Sequence, residues 1–210
     1  MADHLNEIVA CLADLPGSDR LFNPYSSQAD ERAAIRRANL LRYLGDMAAR
    51  QPRSLFLFEA PGYRGCALTG IPVTSERIML AGIPEWNLFG KGYYPTSGHP
   101  QGVAEMTATI LWGALREHLE APPLIWNTVP LHPHRPGEPR SNRPPRRPEV
   151  EMGLPVIEMI LQAFHVERVF AVGRVAGRAL GDLGRAFIPL RHPSQGGKAE
   201  FIRGLTGVHQ

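Results

Sequence analysis

The sequence predicts an α/β fold, a parallel sheet covered on both faces by helices. Three observations predict it. Four short apolar runs, 54–58, 124–126, 168–172 and 187–190, alternate with segments of helical character. The runs are too short and continuous for amphipathic helices and fit buried parallel strands. Three of them lead straight into a polar residue: Glu59, Asn127 and His192. In an open α/β sheet the carboxyl ends of the strands form the edge where ligands bind.

The elements follow in order. Residues 28–49 predict a helix with Ala34, Ala38, Leu41, Leu44 and Ala48 on its apolar face, widened by Ile35. Gln51-Pro52 ends it, and Ser54–Phe58 is the first strand. Residues 59–100, rich in Gly, Pro and Tyr, predict a mostly irregular region of a length that is usually functional. A short helix interrupts it near Ser75 to Gly82, capped by Thr74 or Ser75. Val103–Leu119 is the next helix and Leu124–Trp126 the next strand. Residues 130–149 carry too many prolines for a helix. A helix over Glu149–Phe164, a strand over Arg168–Val172, a helix over Val175–Leu183 and a strand over Phe187–Leu190 complete the alternation. Phe201 lies in a short last helix.

Length and composition bound the function. The 210 residues suit one domain, 1–210, with a full core. Apolar content of 43% and charged content of 20% are ordinary for a soluble globular protein. No run approaches 18 apolar residues, so neither a membrane span nor a membrane partner is expected. The first residues lack a secretory signal's basic and apolar regions. Two cysteines, Cys11 and Cys66, cannot build a disulfide framework or a four-thiolate cluster. A cytoplasmic location is the simplest fit. The net charge is only +3, but five arginines and one glutamate fall between Arg135 and Arg147, and a second basic group runs from Arg174 to Arg203. Such segments beside a site suggest a polyanionic partner.

Each polar strand end has its chemistry and its plainer alternative. Glu59 can act as a base or cap the next turn. Pro61-Gly62 forces a sharp turn, and Gly62 lets a ligand approach the backbone. Asn127 presents one acceptor and two donors in a plane, suited to the edge of a base, or it turns the chain. His192 can donate to an oxygen where negative charge develops, or cap the next helix. The Ser194-Gln195-Gly196-Gly197-Lys198 stretch is small, flexible and basic, fit to approach a phosphate backbone. No metal site is expected: His132 and His134 stand one residue apart with no zinc-like spacing around them. Neither a dinucleotide fingerprint nor a phosphate loop is present.

Together these motifs resemble the uracil-DNA glycosylase superfamily, nearest the bacterial and archaeal Gly-Glu-Ala-Pro-Gly type. Here that stretch is Phe58-Glu59-Ala60-Pro61-Gly62, with Phe58 in place of glycine. Gly70-Ile71-Pro72-Val73 resembles the Gly-x-Pro-Phe element, Asn127 the strand-end asparagine, Asn142-Arg143-Pro144 the following loop motif and His192-Pro193-Ser194 the closing one. The likeness spans residues 55 to about 203. Two departures stand out. The four cysteines that hold an iron–sulfur cluster in close relatives are missing, Arg20 to Tyr25 lying where the first would be, so no cofactor is expected. Val73 stands where the base-stacking phenylalanine belongs, leaving Val73 itself, Tyr63, Trp86 or another aromatic of residues 63–94 as candidates.

The resemblance implies a three-layer αβα sandwich around a four-stranded parallel sheet. It implies a monofunctional repair glycosylase that flips uracil out of DNA and hydrolyses its N-glycosidic bond, leaving an abasic site. Glu59 and His192 would be catalytic. Asn127, Gly62, Ala60, Val73 and Tyr63 would bind the base. Arg140, Arg143, Arg146, Arg147, Ser194, Gln195, Gly196 and Lys198 would hold DNA. The partners implied are uracil-containing DNA, the abasic product and free uracil, for a monomer in the bacterial cytoplasm associated with the nucleoid. Because Gly62 has no ring to block a 5-methyl group, some 5-substituted uracils are expected as substrates unless another residue closes the gap. Two readings compete. One is a damaged-DNA or abasic-site binding protein, with or without covalent trapping through His132 or His134. The other is an enzyme of free nucleosides.

Overall fold

A computed structural model describes residues 2–207; the outermost positions of the expected domain, 1 and 208–210, lie outside the described residues. The chain opens with α1 (Ala2–Asp14), a short strand β1 (Leu21–Phe22) and α2 (Ala33–Arg50). Strand β2 (Ser54–Phe58) leads through α3 (Cys66–Thr69), α4 (Glu76–Ala81) and a 3-10 turn at Pro84–Trp86 to α5 (Met106–His118). Then come β3 (Leu124–Asn127), a short β4 (His132–Pro133), α6 (Arg147–Ala163), β5 (Arg168–Val172), α7 (Arg174–Asp182), β6 (Ile188–Leu190) and α8 (Lys198–Gly207).

The four strands expected from the apolar runs form one parallel sheet in the order β3-β2-β5-β6. Leu55, Phe56, Leu57 and Phe58 are all buried, as a central parallel strand requires. Helices flank the sheet in layers. Helix α1 packs on α2 and α6, α6 on α7, and α7 on β2 and β5, while α5 packs on α8 beside β6. Strand β3 is an edge, and its Ile125 N–H donates to the Tyr43 hydroxyl of α2 at 2.8 Å, which satisfies that donor. No helix among the described residues is long and apolar enough to cross a membrane.

Three expectations change. Helix α2 turns inward a face rotated from the expected one: Ala33, Arg36, Leu40, Tyr43, Leu44 and Met47 are buried, Leu41 and Ala48 pack at the margin of the core, and Ala34 and Ala38 are exposed. Polar partners decide this. The Arg36 guanidinium donates to Pro24 O, pairs with Asp30 at 2.5 Å and lies over the Phe22 ring. Asn39 donates to Thr69 O and Tyr94 O and accepts from Tyr94 N–H. Second, the region 59–100 is more ordered than its composition suggests. Buried Glu76 organises it, accepting from Thr96 N, Ser97 N and Val103 N at 2.6–3.0 Å. Third, α1 and the β1–β4 pair were not foreseen; Leu21 pairs with Pro133 and Phe22 with His132. That pairing occupies the Arg20–Tyr25 stretch, which Asn23 ties to Leu12 O and Leu15 O.

Candidate functional site

At the carboxyl end of the sheet lies a cleft of about 1120 Å³. Glu59, Ala60, Gly62, Val73, Asn142, Arg143, His192, Ser194 and Gln195 line it, so most of the expected site converges there. Glu105 and Thr107 from the start of α5 and Arg174, Arg178 and Arg191 from the β5–β6 half also line it.

The turn that carries Glu59 is held at its carbonyls. Phe58 O accepts from Thr128 N–H and its hydroxyl, both at 2.7 Å, and Glu59 O accepts from Val129 N–H at 2.9 Å. Pro61 O lies 2.7 Å from His132 Nδ1, and Gly62 O accepts from Gly65 and Ala67 N–H. With the backbone fixed, the Glu59 carboxylate is half-buried in the cleft wall. Burial lifts its carboxyl above the usual range.

His192 is fixed on three sides. Its Nδ1 faces Ser194 Oγ at 2.7 Å and accepts from the Ser194 N–H at 3.2 Å. A backbone N–H can only donate, so Nδ1 carries the lone pair and Nε2 the proton. The Phe58 ring meets the imidazole edge-on at 5.7 Å and 82°. Gly173, at φ +90°, passes beside its Cβ, where a Cβ on Gly173 would come within 3.7 Å. Burial, helped by the Arg191 charge and opposed by Glu105, holds the imidazole below its ordinary value. His192 is therefore a neutral donor with its remaining N–H on Nε2.

Asn127 lies one strand across as the register partner of Phe58. It is 2% exposed, does not itself line the cleft, and its Oδ1 has no hydrogen-bond partner among the described residues. A buried acceptor left unpaired costs about 1–3 kcal/mol, so its retention points to a ligand. Trp126 Nε1, on the opposite face of the strand, also has no partner among the described residues.

Val73 has φ +45°, a left-handed conformation that costs a β-branched residue about 1–2 kcal/mol. Its carbonyl accepts from Trp112 Nε1 at 3.0 Å, which holds the strained residue at the cleft. Trp86 is no stacking candidate: it packs edge-on against Trp112 and donates to Glu120 O in the core. Tyr63 is half-buried and is not part of the cleft lining. The gap beside Gly62 is faced by Asn142, whose amide atoms lie 3.9 and 4.0 Å from where a Gly62 Cβ would be. Asn142 Oδ1 accepts from Tyr63 N–H at 3.1 Å, so its amino group is free for the cleft.

The basic loop divides. Arg143 makes a bidentate pair with Glu149 at 2.6 and 2.8 Å and donates to Arg20 O and His134 O, so it binds the fold together. Arg147 pairs with Glu151. Arg140, Arg146, Gly196 and Lys198 are exposed outside the cleft lining. The reach of Arg174, Arg178 and Arg191 into the cleft was legible only as a second basic group, with nothing in spacing to aim it. His132 is 1% exposed, with Nδ1 toward Pro61 O and Nε2 toward Pro139 O; His134 stacks on it at 5.7 Å. Burial lowers the His132 pKa. Neither histidine lines the cleft, which disfavours covalent trapping through them.

An iron–sulfur cluster does not fit these residues. Cys11 lies in α1, and Cys66 is buried in α3 with its thiol pushed up to about 12. Among the described residues no group of three or more His, Cys, Asp or Glu is placed to hold a metal ion.

An acid and a neutral imidazole face one cleft at the carboxyl edge of a parallel sheet, the edge where α/β folds bind their ligands. The chain belongs to the uracil DNA glycosylase superfamily, whose family model matches residues 44–200, from the middle of α2 into α8. Its class is thus DNA glycosylase, a hydrolase whose substrate is DNA. No curated protein matches the chain.

Proposed function

We propose that this single-domain protein removes uracil from DNA by hydrolysing the N-glycosidic bond. The observation that carries this reading is the pairing of half-buried Glu59 with a neutral His192 whose Nδ1 is already engaged. Uracil leaves as an anion. His192 Nε2–H donates to its O2 as charge develops, at no cost of reorganisation because Ser194 and Phe58 already hold the ring. Glu59 takes a proton from the attacking water, whose oxygen bonds to C1′ as the C1′–N1 bond breaks, and its charge offsets the cationic sugar. Asn127 reads O4 and N3–H; cytosine presents the opposite pattern and would leave its amide unpaired. The Asn142 amino group lies where a 5-substituent would come, so small 5-substituted uracils with an acceptor are tolerated better than bulky apolar ones.

The test is a panel of single-stranded oligonucleotides bearing uracil, 5-hydroxymethyluracil, thymine or cytosine, with free deoxyuridine as a control. The expected result is release of uracil, slower release of 5-hydroxymethyluracil and no action on cytosine or deoxyuridine. Activity on deoxyuridine alone would assign the site to nucleoside metabolism. Retention of intact uracil DNA without release would assign it to binding.

A further inference from the structure

We propose that Met106 is the side chain that enters the base stack when a nucleotide is flipped into the cleft. The inference rests on the base-excision reading above. A flipped base leaves a hole in the duplex, and proteins that open duplexes commonly fill such gaps with an apolar wedge. Such a wedge must be apolar, exposed and beside the cleft. The loop after His192 borders the cleft at Ser194 and Gln195 but carries no exposed apolar side chain. Its tip is Gln195 at φ +52° and Gly196 at φ +78°. An apolar residue cannot stand at Gly197, because a Cβ there would meet His192 O at 2.1 Å.

The large apolar side chains exposed among the described residues are Tyr94 at 60% and Met106 at 72%. Neither lines the cleft itself, but Tyr94 is tied by its backbone to Asn39 of α2 and neither of its chain neighbours lines the cleft. Met106 opens α5, and the residues on either side of it, Glu105 and Thr107, both line the cleft. Its base is rigid: the Glu105 carboxylate accepts from Thr107 N at 2.9 Å and Ala108 N at 2.6 Å. Glu105 and Thr107 share that cleft lining with His192, Ser194 and Gln195, so Met106 stands at the rim of the cavity that the His192 loop also borders. An unbranched, polarisable thioether suits insertion between bases of any identity.

The experiment measures binding to DNA carrying a tetrahydrofuran abasic analogue, as duplex and as single strand, by fluorescence anisotropy. It compares wild type, Met106→Ala, Met106→Leu and Gln195→Ala. Met106→Ala is expected to weaken duplex binding about tenfold while single-strand binding, with no stack to fill, stays within about twofold. Met106→Leu is expected to keep wild-type duplex affinity. Equal loss on both DNAs, no loss on either, or a duplex-selective loss in Gln195→Ala instead would overturn the proposal, as would wild type binding neither DNA. The readout needs no turnover. A duplex-selective loss in a protein that releases no uracil would support the wedge and reject only the assigned activity.

Discussion

At the residue scale the site rests on two opposite displacements. Burial lifts the Glu59 carboxyl and lowers the His192 imidazole. The rate of base release should rise with pH along an acid limb lying above the ordinary carboxylate range, and Glu59→Gln should abolish that limb. Stability should move the other way. Below the free glutamate pKa both folded and unfolded chains hold the proton. Between that value and the raised folded value only the folded chain does, so folding stability declines across that window. Glu59→Gln removes this cost and should raise Tm at neutral pH, on the order of 1–3 °C, while lowering activity. The strand-end positions of Glu59, Asn127 and His192 were legible in the sequence because each closes an apolar run. Glu105, Asn142 as the wall facing Gly62, and His132 as the clamp on Pro61 were not, because each reaches the site from a loop or helix end whose direction only the folded chain sets.

At the element scale, strands were easier to read than faces. Runs such as Ser54–Phe58 and Arg168–Val172 coincide with strands because burial on both sides demands continuous apolar residues. The inward face of α2 was misread because Arg36 and Asn39 are buried by partners distant in sequence, and hydrophobic periodicity carries no trace of them. Gly153 tests the packing of α6 behind the site. A Cβ there would lie 1.9 Å from the Thr128 carbonyl oxygen, beside the strand end that carries Asn127. Gly→Ala inside a helix normally stabilises by up to about 1 kcal/mol. Here Gly153→Ala should destabilise by about 3 kcal/mol, a Tm loss of roughly 6–12 °C by calorimetry.

At the scale of the whole molecule, charge is sorted by what each arginine faces. Arg143→Ala breaks the pair with Glu149 and should cost about 2 kcal/mol, or roughly 4–8 °C in Tm. Arg174→Ala and Arg178→Ala, on the cleft, should leave Tm unchanged. Each should instead reduce the slope of log K for duplex DNA against log salt by about 0.9, one phosphate contact apiece. The family is one that works on DNA, and the cleft at the carboxyl edge of the sheet is lined by Arg174, Arg178 and Arg191. In the proposed function, what converts that class into a specific chemistry is the trio of Glu59, Asn127 and His192. The most direct measurement is single-turnover release of uracil from a single-stranded oligonucleotide by wild type, Glu59→Gln, Asn127→Ala and His192→Ala, each first verified as folded by circular dichroism. Wild type should release uracil and each variant should be slower by about a hundredfold or more. Wild-type rates in Glu59→Gln and His192→Ala, or a folded wild type that releases no uracil, would contradict it.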